Sequence, residues 1–155
     1  MSIEKVRNYL KQFNKDNDIQ EMDESTATVE LAAIALGTEE ARIAKSLSFY
    51  NGDGAMVIVV AGDAKIDNRK FKDYFGFKAK MLSPDDTEKF TGHVIGGVCP
   101  FALSQNVKVY LDESMKRFET MFPACGSGNS AIELTISELE ETSKCNTWIN
   151  VCKGW

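Results

Sequence analysis

Apolar and polar positions recur along this chain with two periods, which divide it into short helices and strands. Ile3, Val6, Leu10 and Phe13 fall at helical spacing, so residues 2–14 read as an amphipathic helix. The polar run Asn14–Asp18 reads as a loop, with a short strand around Ile19–Met22. Val29–Leu36 is largely apolar and reads as a buried helix. Ser25, Thr26 and Thr28 are candidates for its N-cap, and Gly37 suits its C-cap. Thr38, followed by Glu39 and Glu40, starts a further short helix with acids where the helix dipole favours them.

Ser46–Tyr50 reads as a strand, and the unbroken apolar run Ala55–Ala61 as a strand buried on both faces. The turn Asn51-Gly52-Asp53-Gly54 joins them as a hairpin. Asn68–Phe75 is a helix closed by Gly76. Ser83, with Pro84 at the first helical position and Asp85 and Asp86 behind it, opens another. Val107–Leu111 is a strand and Asp112–Phe118 a helical turn. Thr120–Phe122 and Ala131–Ile136 are strands flanking Gly126–Asn129. Ser137–Thr142 is a helix capped by Ser137, and Thr147–Val151 is the last strand. Short helices interleaved with hairpin-linked strands predict an α+β fold. The expectation is a single compact domain over residues 1–155, with a mixed β-sheet and short surrounding helices.

Composition narrows the class. The chain has 155 residues, 43% hydrophobic and 26% charged, as in ordinary soluble domains. No apolar run reaches the ~18 to 20 residues of a membrane span. The segment Met1–Lys5 is charged and carries no apolar signal core, so a cytoplasmic protein is expected. None of the four cysteines, Cys99, Cys125, Cys145 and Cys152, forms a C-x-x-C pair, and reduced, mostly buried thiols are expected. With a single histidine, His93, the chain offers no metal-ligand spacing, so no metal is expected.

The net charge of −5 argues against a protein that coats long nucleic acid, and no DNA or membrane partner is expected. The imbalance sits in residues 1–40, with nine acids and four bases. The rest of the chain holds 14 of each. Residues 64–80 carry six bases (Lys65, Arg69, Lys70, Lys72, Lys78, Lys80) against Asp67 and Asp73. That is either a solvated helix face or a patch able to meet a few phosphates.

Two loops and a lysine could carry chemistry. Thr91–Phe101 holds Gly92, Gly96, Gly97 and Pro100. Glycines let backbone N–H groups approach a ligand closely, and such donors can hold a developing oxyanion; a plain structural turn is the alternative. The loop is neither a Walker loop nor G-x-G-x-x-G. Lys45 lies where the short helix should hand over to a strand. A cation there can fix a phosphate or a developing negative charge, or it can snorkel at the surface. Ala124–Ser130 is a second glycine-bearing loop. His93 and Cys99 are conceivable as a nucleophile pair, although their spacing matches no motif.

Ordered along the chain, these segments resemble a known family. Ser25-Thr26-Ala27-Thr28-Val29-Glu30, Ala32-Ala33, Leu36-Gly37 and Ile43-Ala44-Lys45-Ser46-Leu47 with Phe49 resemble the opening segment of YbaK-type, prolyl-tRNA-editing domains. Val60-Ala61-Gly62-Asp63 resembles their central strand exit. Leu82-Ser83 through Thr91-Gly92, then Gly96–Phe101, resembles their substrate loop. Ala124-Cys125-Gly126-Ser127 resembles their late loop. The matches keep family order over about residues 25 to 136.

The resemblance implies hydrolysis of the ester joining a wrong amino acid to tRNA, usually the tRNA for proline. It implies no metal and no cofactor. The expected partners are the tRNA acceptor end and prolyl-tRNA synthetase. It assigns catalysis to Lys45, Gly96 and Gly97, the lysine positioning the tRNA 3′ end and the glycine loop holding the aminoacyl group by backbone contacts. It assigns substrate binding to Thr26, Thr28, Ser46, His93, Val98, Cys99, Pro100, Phe101, Gly126 and Ser127. Water or a group of the substrate makes the attack, so a thiol mechanism through Cys99 is a competing expectation. A non-catalytic tRNA- or synthetase-binding module of the same fold is another. The chain departs from the pattern at Ala102, where the family usually has glycine, and at Cys125 and Gly128 in the late loop.

Overall fold

The computed structural model describes residues 2–155. α1 (Ser2–Leu10) buries Val6 and Leu10. The expected helix of residues 2–14 tightens to a 3₁₀ turn over Lys11–Phe13, and Asn14 ends it in the left-handed region at φ 59°. β1 (Gln20–Glu21) is the short strand expected near Ile19. α2 (Val29–Leu36) starts at Thr28, whose hydroxyl accepts from the Leu31 N–H at 3.2 Å. Gly37 ends it at φ 66°.

β2 (Ile43–Asn51) begins three residues earlier than the expected Ser46, because Ile43 and Ala44 pair in parallel with a late strand. Lys45 therefore lies inside β2, not at a helix–strand junction. β3 (Gly54–Ala61) pairs with β2 as the predicted hairpin and is buried from Ala55 to Ala61. β4 (Lys65–Ile66) follows. α3 (Asn68–Phe75) is capped by Asp67 and ended by Gly76, and α4 (Pro84–Thr91) is capped by Ser83 and ended by Gly92.

β5 (Lys108–Asp112) leads into a 3₁₀ turn over Glu113–Arg117, and β6 (Thr120–Pro123) follows. The expected strand Ala131–Ile136 is two pieces, β7 (Ser130–Ala131) and β8 (Leu134–Thr135). Their partners differ: β7 pairs with β1, and β8 with β6. α5 (Ile136–Ser143) is capped by Thr135, not by the expected Ser137. Thr135 and Glu138 form a complete capping box, each side chain accepting from the other's backbone N–H at 3.1 and 2.9 Å. β9 (Thr147–Ile149) stops two residues short of the expected Val151, and β10 (Cys152–Lys153) turns away to pair with β4.

The main sheet has six strands in the order β8-β6-β2-β3-β5-β9. The β2–β3 and β6–β8 pairs are antiparallel, and β2–β6, β3–β5 and β5–β9 are parallel. This is the mixed sheet that the sequence predicts. α3 covers one face, with Phe71 5.2 Å from Phe49 and Phe75 5.2 Å from Tyr110 between ring centroids. α2 packs separately, Ala32 and Ala33 lying against Ile43 and Phe122 where β2 meets β6. No helix among the described residues is long and apolar enough to cross a membrane.

Candidate functional site

The parallel β2–β6 junction leaves a cavity of about 220 Å³ beside α2. Thr26, Thr28 and Val29 form one wall, Ala44 to Ser46 and Ser48 of β2 a second, Leu82 and Thr87 a third, and Gly96 and Val98 a fourth. Phe122 and Ser130 also line it, among further apolar residues. Six sequence-predicted residues thus meet here: Thr26, Thr28, Lys45, Ser46, Gly96 and Val98. His93, Gly97, Cys99, Pro100, Phe101, Gly126 and Ser127 do not line the cavity.

Several of the residues outside the cavity hold its fourth wall in place. Gly97 packs on the late loop so closely that an added Cβ would lie 2.8 Å from the Gly126 carbonyl carbon and 2.9 Å from the Ser127 nitrogen. Its N–H donates to the Val94 carbonyl at 3.0 Å, closing a turn. Gly126, at φ 94°, leaves no room for a side chain either, since a Cβ there would lie 2.9 Å from both the Ser2 carbonyl oxygen and Val6 of α1. The first wall is tied to the same loop by the Thr26 N–H, which donates to the Gly128 carbonyl at 2.6 Å.

His93 clasps the glycine loop. It is fully buried, and its Nε2 lies 2.7 Å from the Phe101 carbonyl oxygen. A carbonyl only accepts, so Nε2 carries the proton and Nδ1 accepts from the Ser2 hydroxyl. Its backbone N–H donates to Thr91 Oγ1 at 3.1 Å. The ring thus joins residue 93 to residue 101 across the loop and ties both to α1. Burial holds its pKa below the ordinary histidine value, so the ring stays neutral near pH 7. Cys99 Sγ is 3.5 Å from Nε2, but it is fully buried and its pKa is pushed up to about 12, chiefly by desolvation. A thiol in that state is not a nucleophile at neutral pH.

The loop also contains Ala102 at φ 53°, a left-handed conformation that disfavours a residue with a Cβ. That geometry gives a physical reason for glycine at this position in the resembling family.

Among the described residues that line the cavity, Lys45 is the only charged one. It is half-buried, and desolvation lowers its pKa. Lys65 lowers it further, while Cys152 and Asp63 act the other way. None of the five ion pairs among the described residues includes it. Alternation along β2 sends Ser46 and Ser48 to one face of the strand and Lys45 to the other. Lys45 lies opposite Val60, beside the end of β3 from which the chain runs on to β4.

Two hydroxyl oxygens of the wall, Thr26 Oγ1 and Ser46 Oγ, are buried without a hydrogen-bond partner among the described residues. Three other wall hydroxyls are engaged: Thr28 caps α2, Thr87 donates to the Ser83 carbonyl at 2.8 Å, and Ser130 accepts from Ser127 at 2.7 Å. An unpaired buried hydroxyl costs roughly 1–3 kcal/mol, a cost that a polar ligand group can remove. The amides of Gly96 and Val98 likewise donate to no backbone carbonyl among the described residues.

Wall residues that the sequence does not single out include Val29, Ala32, Ser48, Leu82, Thr87 and Phe122, whereas Ser130 belongs to the second glycine-bearing loop. One signal was available: Lys45, Ser46 and Ser48 are polar in a strand that pairs with a wholly apolar one.

Comparison with known proteins places this arrangement. A family model described as an aminoacyl-tRNA editing domain matches residues 23–142. YwhH of Bacillus subtilis is 58% identical over 156 residues, covering 100% of this chain and 99% of that protein; it is described as uncharacterized. EbsC of Enterococcus faecalis, whose name proposes a Cys-tRNA(Pro)/Cys-tRNA(Cys) deacylase, is 31% identical over 72% of this chain and 69% of its own. A proline–tRNA ligase of Thermosipho melanesiensis is 34% identical over 67% of this chain, which corresponds to 19% of that enzyme. A solved structure described as a candidate trans-editing enzyme for prolyl tRNA synthetase superposes with a TM-score of 0.88 at 27% identity. It covers 99% of this chain and 98% of the other.

Proposed function

Since the chain belongs to the aminoacyl-tRNA editing domain family, we propose that it is a trans-editing deacylase acting in the cytoplasm. Its reaction is hydrolysis of the ester between tRNA, chiefly the tRNA for proline, and a small non-cognate amino acid such as alanine, cysteine or serine. All 155 residues form the one editing domain. The observation that carries this reading is the cavity itself. It joins a half-buried lysine, partnerless hydroxyls at Thr26 and Ser46, and free loop amides at Gly96 and Val98 in one wall system.

The roles follow from that chemistry. The Gly96 and Val98 N–H groups receive the ester carbonyl oxygen and stabilise it as it becomes an oxyanion. Gly97, Gly126, Ser127 and the His93 clasp hold those amides in place, and Pro100 and Phe101 are part of the same scaffold. Lys45 positions the charged 3′ end of the tRNA at the cavity edge. The described lining residues include no carboxylate or imidazole, and Cys99 is buried as a neutral thiol. Water, or a nucleophilic group of the substrate, therefore makes the attack. Prolyl-tRNA synthetase is the partner that would release such substrates.

Single-turnover deacylation by Lys45→Ala tests the assignment. Loss of a positioned charge at the reacting end lowers the rate on the order of 10²-fold while the folded structure persists. A Lys45→Ala rate equal to that of the native chain contradicts it.

A further inference from the structure

The ribbon formed by β4 and β10 places Lys65 directly opposite Lys153. Like charges facing each other across a strand pair repel. The acids around them are already committed. Asp63 accepts from both terminal nitrogens of Arg117 at 3.0 and 2.6 Å. Asp67 caps α3, accepting from the Arg69 and Lys70 amides at 3.0 and 3.2 Å. Lys70 is held alongside by its ammonium, which donates to the Cys152 carbonyl at 2.9 Å. None of the five ion pairs among the described residues includes Lys45, Lys65, Lys70 or Lys153.

Two residues beyond Lys153 in the chain stands an aromatic ring. Trp155 is 44% exposed, and the Arg117 guanidinium lies 5.1 Å from its centroid. The patch adjoins the cavity through the sheet: Lys45 lines the cavity and lies opposite Val60 in the β2–β3 register, and the chain leaves β3 at Ala61 and runs through Asp63 into β4. Lysines outside those ion pairs, near an exposed indole, suit a single-stranded nucleic acid, whose phosphates need counter-charges and whose unpaired bases stack on aromatic faces. A duplex offers no such free base.

We propose that the β4–β10 ribbon and Trp155 bind the unpaired 3′ end of the RNA whose ester occupies the cavity, with phosphates on Lys65 and Lys153 and a base against the Trp155 ring. The proposal rests on the deacylase reading for the direction of the strand, which leaves the cavity past Lys45. It extends that reading to residues 143–155, beyond the matched span of the family model.

The experiment uses the full chain and a fluorescein-labelled single-stranded RNA hexanucleotide ending in CCA, with affinity read by anisotropy over a salt series and tryptophan emission followed alongside. Trp148 is the internal reference. Binding is expected to change the Trp155 signal, and Trp155→Ala is expected to weaken affinity on the order of 10-fold. The double variant Lys65→Ala/Lys153→Ala should reduce the slope of log K against log salt by about 1.4, at ~0.7 per phosphate contact for a single strand. The control Lys72→Ala/Lys78→Ala should leave the slope unchanged. In a second arm, both ribbon variants slow deacylation of mischarged tRNA but not of an aminoacylated adenosine, which lacks the phosphates.

Unchanged oligonucleotide affinity and salt slope in the ribbon variants overturn the proposal. So does equal binding of a blunt RNA duplex, or a fluorescence response to prolyl-tRNA synthetase without one to RNA. If the native chain deacylates nothing yet binds the oligonucleotide through Lys65, Lys153 and Trp155, the deacylase reading fails and the RNA surface stands.

Discussion

Ala102 shows how one residue marks the distance between this chain and its family. Its φ of 53° is a conformation that costs an L-residue with a Cβ roughly 1–2 kcal/mol. Replacing it with glycine removes that strain but adds freedom to the unfolded chain worth about 0.5–1 kcal/mol. Ala102→Gly should therefore stabilise the protein by up to about 1 kcal/mol, a rise of about 2–4 °C in Tm. A fall in Tm would show that the loop is relaxed as it stands. The sequence pointed to this position only as a departure from a pattern; the dihedral angle supplies the reason. His93 is the opposite case. The sequence offers it as half of a conceivable nucleophile pair with Cys99 and, by resemblance, as a substrate-binding residue. Full burial and a bond to the Phe101 carbonyl make it part of the scaffold.

At the scale of elements, local signals read well. Thr28, Ser83 and Gly37 sit where their caps were expected, because a cap depends only on residues three or four positions away. The last helix shows the limit of that reasoning. Thr135 and Ser137 each precede a glutamate by three residues, so both satisfy the capping-box pattern. The structure chooses Thr135, which the β6–β8 pairing holds in extended conformation. Thr135→Ala should cost about 1 kcal/mol in denaturant melts. Ser137→Ala, at an exposed position inside the helix, should stay within about 0.5 kcal/mol. The reverse order would return the cap to Ser137. Strand limits were less legible. β2 extends back to Ile43 and the Ala131–Ile136 segment breaks in two because of partners distant in sequence, which no local pattern reports.

At the scale of the whole molecule, the mixed sheet was legible and the cavity was not. A cavity between β2, α2, α4 and two loops exists only after the parallel β2–β6 pair has closed. The glycine loops and Lys45 were visible as chemistry, whereas the division of labour between wall and support appeared only with the packing. The scaffold also carries a pH signature. Because burial lowers the pKa of His93, the unfolded chain binds its proton more readily than the folded one. Stability from this group is fully present above about pH 6.5, the unfolded histidine range, and is lost as pH falls from there toward the folded value. His93→Gln retains an amide donor for Phe101 and removes the titration, so its denaturant midpoint should fall less than that of the native chain between pH 7 and pH 5. Parallel curves would contradict the clasp.

The account stands or falls on turnover at the cavity. Prolyl, alanyl, seryl and cysteinyl esters of the tRNA for proline, each incubated with the native chain, give the most direct test. The account predicts rapid loss of at least one of the small non-cognate esters, alanyl, seryl or cysteinyl, on the tRNA for proline. It also predicts that the prolyl ester, the cognate one on that tRNA, survives. Tight binding of these tRNAs with no hydrolysis of any would contradict it, leaving a binding module of the same fold.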